Sequence, residues 1–90
     1  MESESYFVYI LESLQDGTLY KGYTTDYKRR LEEHNAGKSR YTSKKLPWKL
    51  IYVESCMSKT QALIREKSLK RANKSYIQWL IGQPSNLLNS

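Results

Sequence analysis

The side chains that could act on a phosphodiester occur at short spacings in this sequence. Tyr9 and Tyr20 are eleven positions apart, and Arg30 and His34 follow four residues apart. Tyrosine, arginine and histidine can together position a phosphate, move a proton and neutralise charge. A single carboxylate further along, Glu66, could hold a metal ion. Phosphodiester chemistry is therefore the first hypothesis for this chain.

Both tyrosines lie in a predicted β-hairpin. Residues 6–12 carry apolar or aromatic groups at alternate positions on both faces, which is typical of a central strand. Asp16-Gly17 predicts a turn, and Leu19 to Thr24 forms the return strand. If the loop holds an even number of residues, Tyr9 and Tyr20 point to the same face of the sheet, whereas an odd number separates them.

A helix is predicted after the hairpin, with Thr25 or Asp26 as its N-cap and an end at residues 35–37. Its inward side presents the polar Arg30 and His34 beside Tyr27 and Leu31. A desolvated arginine needs a partner, and a substrate phosphate is one. The alternatives are a surface arginine lying along its own stem and a histidine that complements the helix dipole.

The carboxylate lies on a second predicted helix. Residues 58–61 form a capping box, which predicts a helix over roughly residues 59–73. Glu66 falls on the side of this helix that should pack on the sheet, where a carboxylate is costly unless it is paired or binds a cation. A salt bridge from Glu66 to Arg30 or Lys70 is the alternative to a metal site.

The remaining segments complete one small domain. A third strand is predicted from Trp48 to Glu54, and a second capping box, Ser75-Tyr76-Ile77-Gln78, predicts a last helix that ends at Ile81. The fold class is α+β, a three-stranded antiparallel sheet with helices packed on it in the order β-β-α-β-α-α. We expect a disordered N-terminus at 1–4, one domain at 5–81 and a flexible tail at 82–90.

The net charge of +6 is unevenly distributed along the chain. Residues 1–27 carry one lysine against five acidic residues, and residues 28–74 carry fourteen lysines and arginines against four. A basic patch of this kind attracts phosphates and makes binding depend on salt. A solvated basic surface without a ligand is the alternative.

The loop at 38–47 combines charges suited to a nucleic-acid backbone with one flat ring suited to a base, a mix that single-stranded or distorted nucleic acid favours. The predicted nucleic-acid contacts share a positive charge or an aromatic ring: Lys38, Arg40, Tyr41, Lys44, Lys45 and, on the second helix, Lys70. A flexible charged loop without a ligand would have a similar composition.

Several classes of protein do not fit the composition. One cysteine cannot form an internal disulfide, and with a single histidine there is no ligand set for structural zinc. No apolar run approaches the roughly 20 residues that a membrane span needs, and the first residues lack the features of a signal peptide. We therefore expect a cytoplasmic protein without membrane contact.

The tyrosine motifs resemble those of the GIY-YIG nuclease family over roughly residues 5–81. Phe7-Val8-Tyr9 and Tyr20-Lys21-Gly22 keep both tyrosines and the closing glycine of the family pattern. Asp26 to Asn35 resembles the arginine helix of that family, and Tyr41-Thr42, Pro47 and Leu50-Ile51-Tyr52 resemble the segment after it. The chain is similar to the short stand-alone bacterial members and to the N-terminal nuclease domain found in excinuclease.

The resemblance implies metal-dependent hydrolysis of phosphodiester bonds in a nucleic acid, expected to be DNA, in repair or recombination. Glu66 would be the only protein ligand of one Mg²⁺ or Mn²⁺ ion. Tyr9 would take the proton of the attacking water, directly or through Tyr20. A phenol with a pKa of about 10 needs nearby positive charge for this role, and Arg30 would supply it while binding phosphate oxygens. His34 would assist Tyr9 or orient the phosphate.

Two other functions fit the same residues. A nucleic-acid-binding module on the same fold would keep the basic surface without turnover. The middle residues of both motifs, Val8 and Lys21, differ from the isoleucine of the family pattern, which is consistent with such a module. A structural protein of a ribonucleoprotein particle would use the tyrosines as core. The joint presence of Tyr9, Tyr20, Arg30 and Glu66 favours the enzyme.

Overall fold

The computed structural model describes residues 5–89, in which the elements follow the predicted order β-β-α-β-α-α. The strands are β1 (Tyr6–Ser13), β2 (Leu19–Thr24) and β3 (Trp48–Cys56). The helices are α1 (Tyr27–Asn35), α2 (Lys59–Arg71) and α3 (Lys74–Ile81), and short 3₁₀ turns cover Thr42–Lys44 and Leu87–Asn89. The α+β class is therefore confirmed. The expected disorder of residues 1–4 lies outside the described residues.

β1 is the central strand of an antiparallel sheet with the order β2-β1-β3. It is apolar on both faces because both faces are covered by helices. In the ladder with β2, Tyr9 pairs with Gly22 and Leu11 pairs with Tyr20. Since alternate residues of a strand share a face, Tyr9, Leu11 and Tyr20 lie on the same face. The last pair of this ladder is Glu12 with Leu19, so the loop between paired residues, 13–18, holds an even number of residues and brings the two tyrosines to one face.

Each face of the sheet has its own core. The Tyr9 face holds a buried cluster of Tyr9, Leu11, Trp48 and Val53, against which α1 packs Tyr27 and Leu31. The opposite face is covered by α2 and α3 and holds Val8, Ile10, Tyr52, Cys56, Ala62, Leu69, Ile77 and Leu80. A three-stranded sheet is marginal alone, and each large apolar side chain stabilises the fold by about 1.5–3 kcal/mol when fully buried. The helices on both faces therefore supply much of the stability.

The helix starts are set by side-chain caps. Asp26 accepts a hydrogen bond from the Arg29 amide at 3.1 Å, and Ser58 accepts one from the Gln61 amide at 3.1 Å, as the sequence predicts. α3 differs from the prediction, because Asn73 caps it in place of Ser75 through a 2.8 Å bond from the Tyr76 amide. Asparagine is as good an N-cap as serine, so the helix begins at the earlier of the two.

The segment after α3 packs on the sheet, although the sequence predicts a frayed tail there. The side chain of Asn86 is 1% exposed and bonds to β3 on both of its polar atoms. Its oxygen accepts from the Val53 amide at 3.2 Å, and its nitrogen donates to the Ile51 carbonyl at 3.1 Å. Ile51 is the extra residue at an irregularity in the β1–β3 ladder, and Asn86 satisfies its carbonyl. A long-range contact of this kind has no local sequence signal.

None of the helices within residues 5–89 is long and apolar enough to span a membrane.

Gly22 lets the ring of Tyr9 lie directly against the backbone of β2. A Cβ atom at Gly22 would stand 2.7 Å from the Tyr9 hydroxyl oxygen and 2.8 Å from the ring carbon that carries it. The Tyr9 side chain cannot give way easily, because it is only 2% exposed. The glycine of the second motif is thus required for space, and it fixes where the Tyr9 hydroxyl lies.

We expect Gly22→Ala to displace the Tyr9 ring and to lower the free energy of unfolding by roughly 1–3 kcal/mol, as overpacking of a core does. Gly82→Ala is the matched control, since a Cβ there would meet its nearest atom at 3.7 Å. Chemical denaturation of both variants measures the difference. Equal stability of the two would show that the contact at Gly22 is not tight.

Candidate active site

Three buried polar side chains form a hydrogen-bonded chain between β1, α1 and the loop before β3. The Tyr9 hydroxyl lies 3.0 Å from His34 Nε2, and His34 Nδ1 lies 2.8 Å from Thr42 Oγ1. Tyr9 is 2% exposed, and His34 and Thr42 are 0% exposed. Because the three groups are removed from water and paired with one another, their relative positions are well defined.

Aromatic rings connect this buried chain to the surface. The ring of Tyr20 meets the His34 ring edge-on, with centroids 4.9 Å apart, and lies 6.2 Å from the Tyr9 ring. On its other side Tyr20 is 6.0 Å from Tyr41, whose side chain is exposed. Tyr20 therefore stands between the Tyr9–His34 pair and the solvent.

Burial decides the protonation of both hydrogen-bonded groups. It raises the pKa of Tyr9 to about 12, with a further contribution from Tyr20, and it outweighs the lowering by the adjacent Arg30. Burial also lowers the pKa of His34 to about 4, and the charge of Arg30 acts in the same direction. At neutral pH Tyr9 is thus a neutral phenol and His34 a neutral imidazole. The lowering of the Tyr9 pKa that its role as a base requires is present but too small.

Arg30 is already paired in the free protein. Its guanidinium donates to Glu33 at 2.9 Å, which raises the pKa of Arg30 and lowers that of Glu33. Glu33 also accepts from Arg29 at 3.3 Å. Glu33 does not belong to the inward side predicted for this helix, but an arginine reaches a partner three residues later along a helix. A phosphate at Arg30 has to compete with this carboxylate.

Glu66 approaches from the helix on the other face of the sheet. It lies on α2 between Ala62 and Leu69, both fully buried, and its side chain is 18% exposed. The expected alternative partner Lys70 is present at 3.8 Å, longer than the 2.8 to 3.3 Å of the other ion pairs in the described residues. The charge of Glu66 reaches Tyr9, since it contributes to the raised pKa of that phenol.

The two faces meet at the outer edge of β2. A groove of about 290 Å³, the β2-edge groove, is lined by Leu19, Tyr20, Lys21, Tyr41 and Lys70. Lys70 comes from α2, and Tyr20 and Tyr41 belong to the Tyr9 side. Burial lowers the pKa of Lys21, which the sequence analysis did not single out. This edge is where groups from both faces of the sheet can contact one ligand.

The predicted nucleic-acid contacts other than Lys70, which lines the β2-edge groove, fall into two surfaces. Arg40, Tyr41, Lys44 and Lys45 line a groove of about 470 Å³, the Tyr41 groove. Lys38 lies apart from it, in a depression with Arg29 and Glu33. Within the Tyr41 groove Lys45 is engaged, because its ammonium lies 2.8 Å from Asp16 and 3.2 Å from Thr18.

The structure brings Tyr9, Tyr20 and His34 into contact and places Arg30 beside them. Of the other expected features, the Tyr9 hydroxyl is buried in the free protein, and Glu66 lies on α2, apart from the α1 residues. Thr42, Gly22 and Glu33 are parts of the site that the sequence analysis did not assign. The spacing of Glu33 from Arg30 could have indicated that pair, whereas the contact between His34 and Thr42 has no local signal.

No group of three or more histidine, cysteine, aspartate or glutamate residues that could enclose a metal ion occurs in the described part of the chain. Glu66 is a weakly paired carboxylate that belongs to no such acidic group. Such a donor fits a hard divalent ion that keeps most of its water ligands. It does not fit an ion that requires a full set of protein ligands.

Comparison with known proteins agrees with this geometry. The family described as the GIY-YIG catalytic domain matches residues 5–79. A UPF0213 protein of Streptococcus agalactiae serotype V is 46% identical over 81 residues, which cover 89% of this chain and 91% of the relative. A UPF0213 protein of Bacillus licheniformis is 45% identical over 83 residues, covering 87% and 84%. The solution NMR structure of a UPF0213 protein from Bacillus halodurans has a TM-score of 0.57 at 33% identity and covers 93% of this chain and 89% of that one. The family match supports a nuclease-type function with a nucleic acid as substrate.

The neutral state of His34 predicts acid sensitivity of the fold. The unfolded chain protonates this histidine below its ordinary pKa of 6.5, and the folded chain does so only below about 4. The stability that burial of the neutral ring permits is therefore full above that ordinary value and is lost as the pH falls toward the folded pKa. Between about pH 7 and about pH 5 we expect His34 to account for a loss of about 2 kcal/mol.

His34→Gln supplies the comparison, because glutamine keeps hydrogen-bonding groups and does not titrate. Urea denaturation at the two pH values gives the free energy of unfolding for each protein. The wild type should lose more stability than the variant over this interval. An identical loss in both would mean that His34 is accessible to protons in the folded state.

Proposed function

Since the chain belongs to the family of GIY-YIG catalytic domains, we propose that it is a metal-dependent endonuclease that hydrolyses phosphodiester bonds in DNA. The observation that carries this proposal is the Tyr9 hydroxyl, which lies 3.0 Å from a neutral imidazole and beside Arg30. A proton donor and a proton acceptor are thus hydrogen-bonded, and a cation suited to bind phosphate lies beside them.

The hydrogen bond between Tyr9 and His34 indicates the path of the proton in this proposal. Tyr9 does not need to ionise beforehand, because the lone pair of His34 Nε2 can receive its hydrogen. The attacking water gives a proton to the Tyr9 oxygen while the Tyr9 hydrogen passes to His34. The water oxygen forms a bond to phosphorus, and the bond from phosphorus to the leaving oxygen breaks. His34 thereby becomes the final proton acceptor, so within this proposal its role is to assist Tyr9.

Arg30 binds the non-bridging oxygens of the scissile phosphate in the proposed complex. A guanidinium fits two phosphate oxygens at once, and this geometry positions the phosphorus for attack. Arg30 has to exchange Glu33 for the phosphate to do so. The Tyr9 hydroxyl, which is 2% exposed in the free protein, also has to become accessible before the reaction.

We assign Glu66 as the ligand of one Mg²⁺ or Mn²⁺ ion. Bound there, the ion would neutralise charge on the scissile phosphate and stabilise the leaving oxygen. Glu66 raises the pKa of Tyr9 through its negative charge, and a cation on this carboxylate would offset that effect. A role in DNA repair or recombination and a cytoplasmic location stay predictions.

A nucleic-acid-binding module is the second candidate. The pairing of Arg30 with Glu33 and the burial of Tyr9 favour it, since both would have to change before turnover. Plasmid nicking with and without Mg²⁺ or Mn²⁺ separates the two functions. Metal-dependent nicking is expected of the enzyme, and binding without nicking under all metal conditions would support the module.

Glu66→Gln is expected to abolish nicking while the fold stays intact. The substitution is nearly isosteric and removes a negative charge that faces a polyanion, so nucleic-acid affinity should stay the same or increase slightly. Stability should change little, because a Lys70 partner on the same helix at 3.8 Å contributes about 0.3–0.5 kcal/mol. Nicking rate, affinity and melting temperature are measured on the same preparation.

Glu32→Gln is the matched control, since Glu32 is exposed on α1 and the charge change is the same. It should nick DNA at the wild-type rate. Wild-type nicking by Glu66→Gln would exclude Glu66 as the metal ligand, and excess Mg²⁺ should not restore activity to that variant.

Lys44 and Lys45 should differ in their contribution to nucleic-acid binding, although the sequence treats them alike. Lys44→Ala should weaken affinity for all sequences about equally and reduce the slope of log affinity against log salt by about 1, because no acidic residue pairs with Lys44 in the described part of the chain. Lys45→Ala should change the slope less, because Asp16 already neutralises its ammonium. The loss of that surface pair should lower stability only slightly. Fluorescence anisotropy at several salt concentrations and denaturation curves test both expectations, and equal slopes would contradict them.

A further inference from the structure

We propose that Thr42 is a positioning residue that fixes the tautomer of His34, so that the lone pair of Nε2 faces the Tyr9 hydroxyl. The catalytic meaning of this assignment rests on the proposed function. The tautomer itself is a property of the free protein and can be measured without any substrate.

A neutral imidazole has one N–H and one lone pair, and in His34 both ring nitrogens have partners. The direction of the two hydrogen bonds follows from the surroundings of the Tyr9 hydroxyl, which is buried and lies 3.0 Å from His34 Nε2. Arg30, which acts on the same hydroxyl, can only donate, so His34 Nε2 is the acceptor for the phenolic hydrogen. The hydrogen of the neutral ring is then on Nδ1, from which it is donated to Thr42 Oγ1 at 2.8 Å.

The Thr42 hydroxyl is held in place by its backbone. The Thr42 carbonyl accepts from the indole nitrogen of Trp48 at 2.8 Å and from the Lys45 amide at 3.2 Å. Asn35, next to His34, accepts from the Trp48 amide at 2.7 Å and donates to the Trp48 carbonyl at 3.1 Å. The end of α1, the start of β3 and Thr42 therefore form one closed set of hydrogen bonds around the imidazole.

The choice of tautomer decides whether His34 can act on Tyr9. In the opposite tautomer Nε2 would carry the hydrogen and donate it to the Tyr9 oxygen, and Thr42 would donate to Nδ1. A ring in that state has no lone pair facing Tyr9 and cannot receive its proton. Thr42 is fully buried, so water does not offer Nδ1 a ready alternative acceptor. The hydroxyl at this position therefore stabilises the productive state, because without it the hydrogen on Nδ1 would be buried without an acceptor.

The test compares Thr42→Val, which keeps the shape and removes the hydroxyl, with Thr42→Ser, which keeps the hydroxyl. The chain has one histidine, so the imidazole nitrogen signals of the untagged protein in ¹⁵N NMR belong to His34 alone. We expect the signals of a ring protonated on Nδ1 in the wild type and in Thr42→Ser. In Thr42→Val the signals should move toward those of a ring protonated on Nε2.

Nicking kinetics give the second readout. Thr42→Val should lower kcat by about 10-fold to about 10⁴-fold, the range seen when a histidine loses its orienting partner, with KM little changed. Thr42→Ser should retain most of the wild-type kcat. A purely structural role of Thr42 would lower stability in the valine variant without moving the imidazole signals.

Three results would overturn the assignment. They are a wild-type ring protonated on Nε2, a valine variant whose imidazole signals match the wild type, and a valine variant with wild-type kcat. The first needs no variant, so the assignment stays testable even if Thr42→Val does not fold. If the imidazole signals shift as expected but the wild type never nicks DNA, the positioning of His34 is supported and the proposed nuclease function is the part that fails.

Discussion

The hydrogen bond between Tyr9 and His34 joins the central strand to the last turn of α1, and the surrounding residues exclude water from it. It can form only because Gly22 leaves room for the Tyr9 ring on β2. Burial of the pair determines the protonation of both partners, because it favours the neutral phenol and the neutral imidazole alike. The room at Gly22 and the burial around this bond thus set the chemical state of the site.

The proposed catalytic groups come from opposite faces of a sheet only three strands wide. The proton-transfer groups and Arg30 belong to the α1 side, and Glu66 belongs to the α2 side. A wide sheet would keep such groups apart. In this narrow sheet β2, the strand that carries Tyr20, is the edge at which the two faces meet. Lys70 and Tyr41 line the same groove at that border, so a nucleic acid lying along it could touch both sets of residues.

Local patterns predict the elements well because the forces that form them act over a few residues. The alternation in β1, the turn at Gly17 and the caps Asp26 and Ser58 each depend on near neighbours. The face shared by Tyr9 and Tyr20 follows from the register of one hairpin. What sequence alone does not give is the degree of burial. The burial of Tyr9 reverses the expected change in its pKa, and the contact of His34 with Thr42 depends on how a loop folds back over α1.

Asn86 has a consequence for the outer edge of β3. Its amide accepts from one backbone N–H of β3 and donates to one carbonyl, so a single side chain satisfies groups that a neighbouring strand would otherwise pair with. An edge strand with free backbone groups invites pairing with another chain and leads to aggregation. The C-terminal segment therefore shields one border of the sheet from other proteins. The opposite border, along β2, adjoins the β2-edge groove, so protection against self-association and openness to a ligand lie on opposite sides of the same three strands.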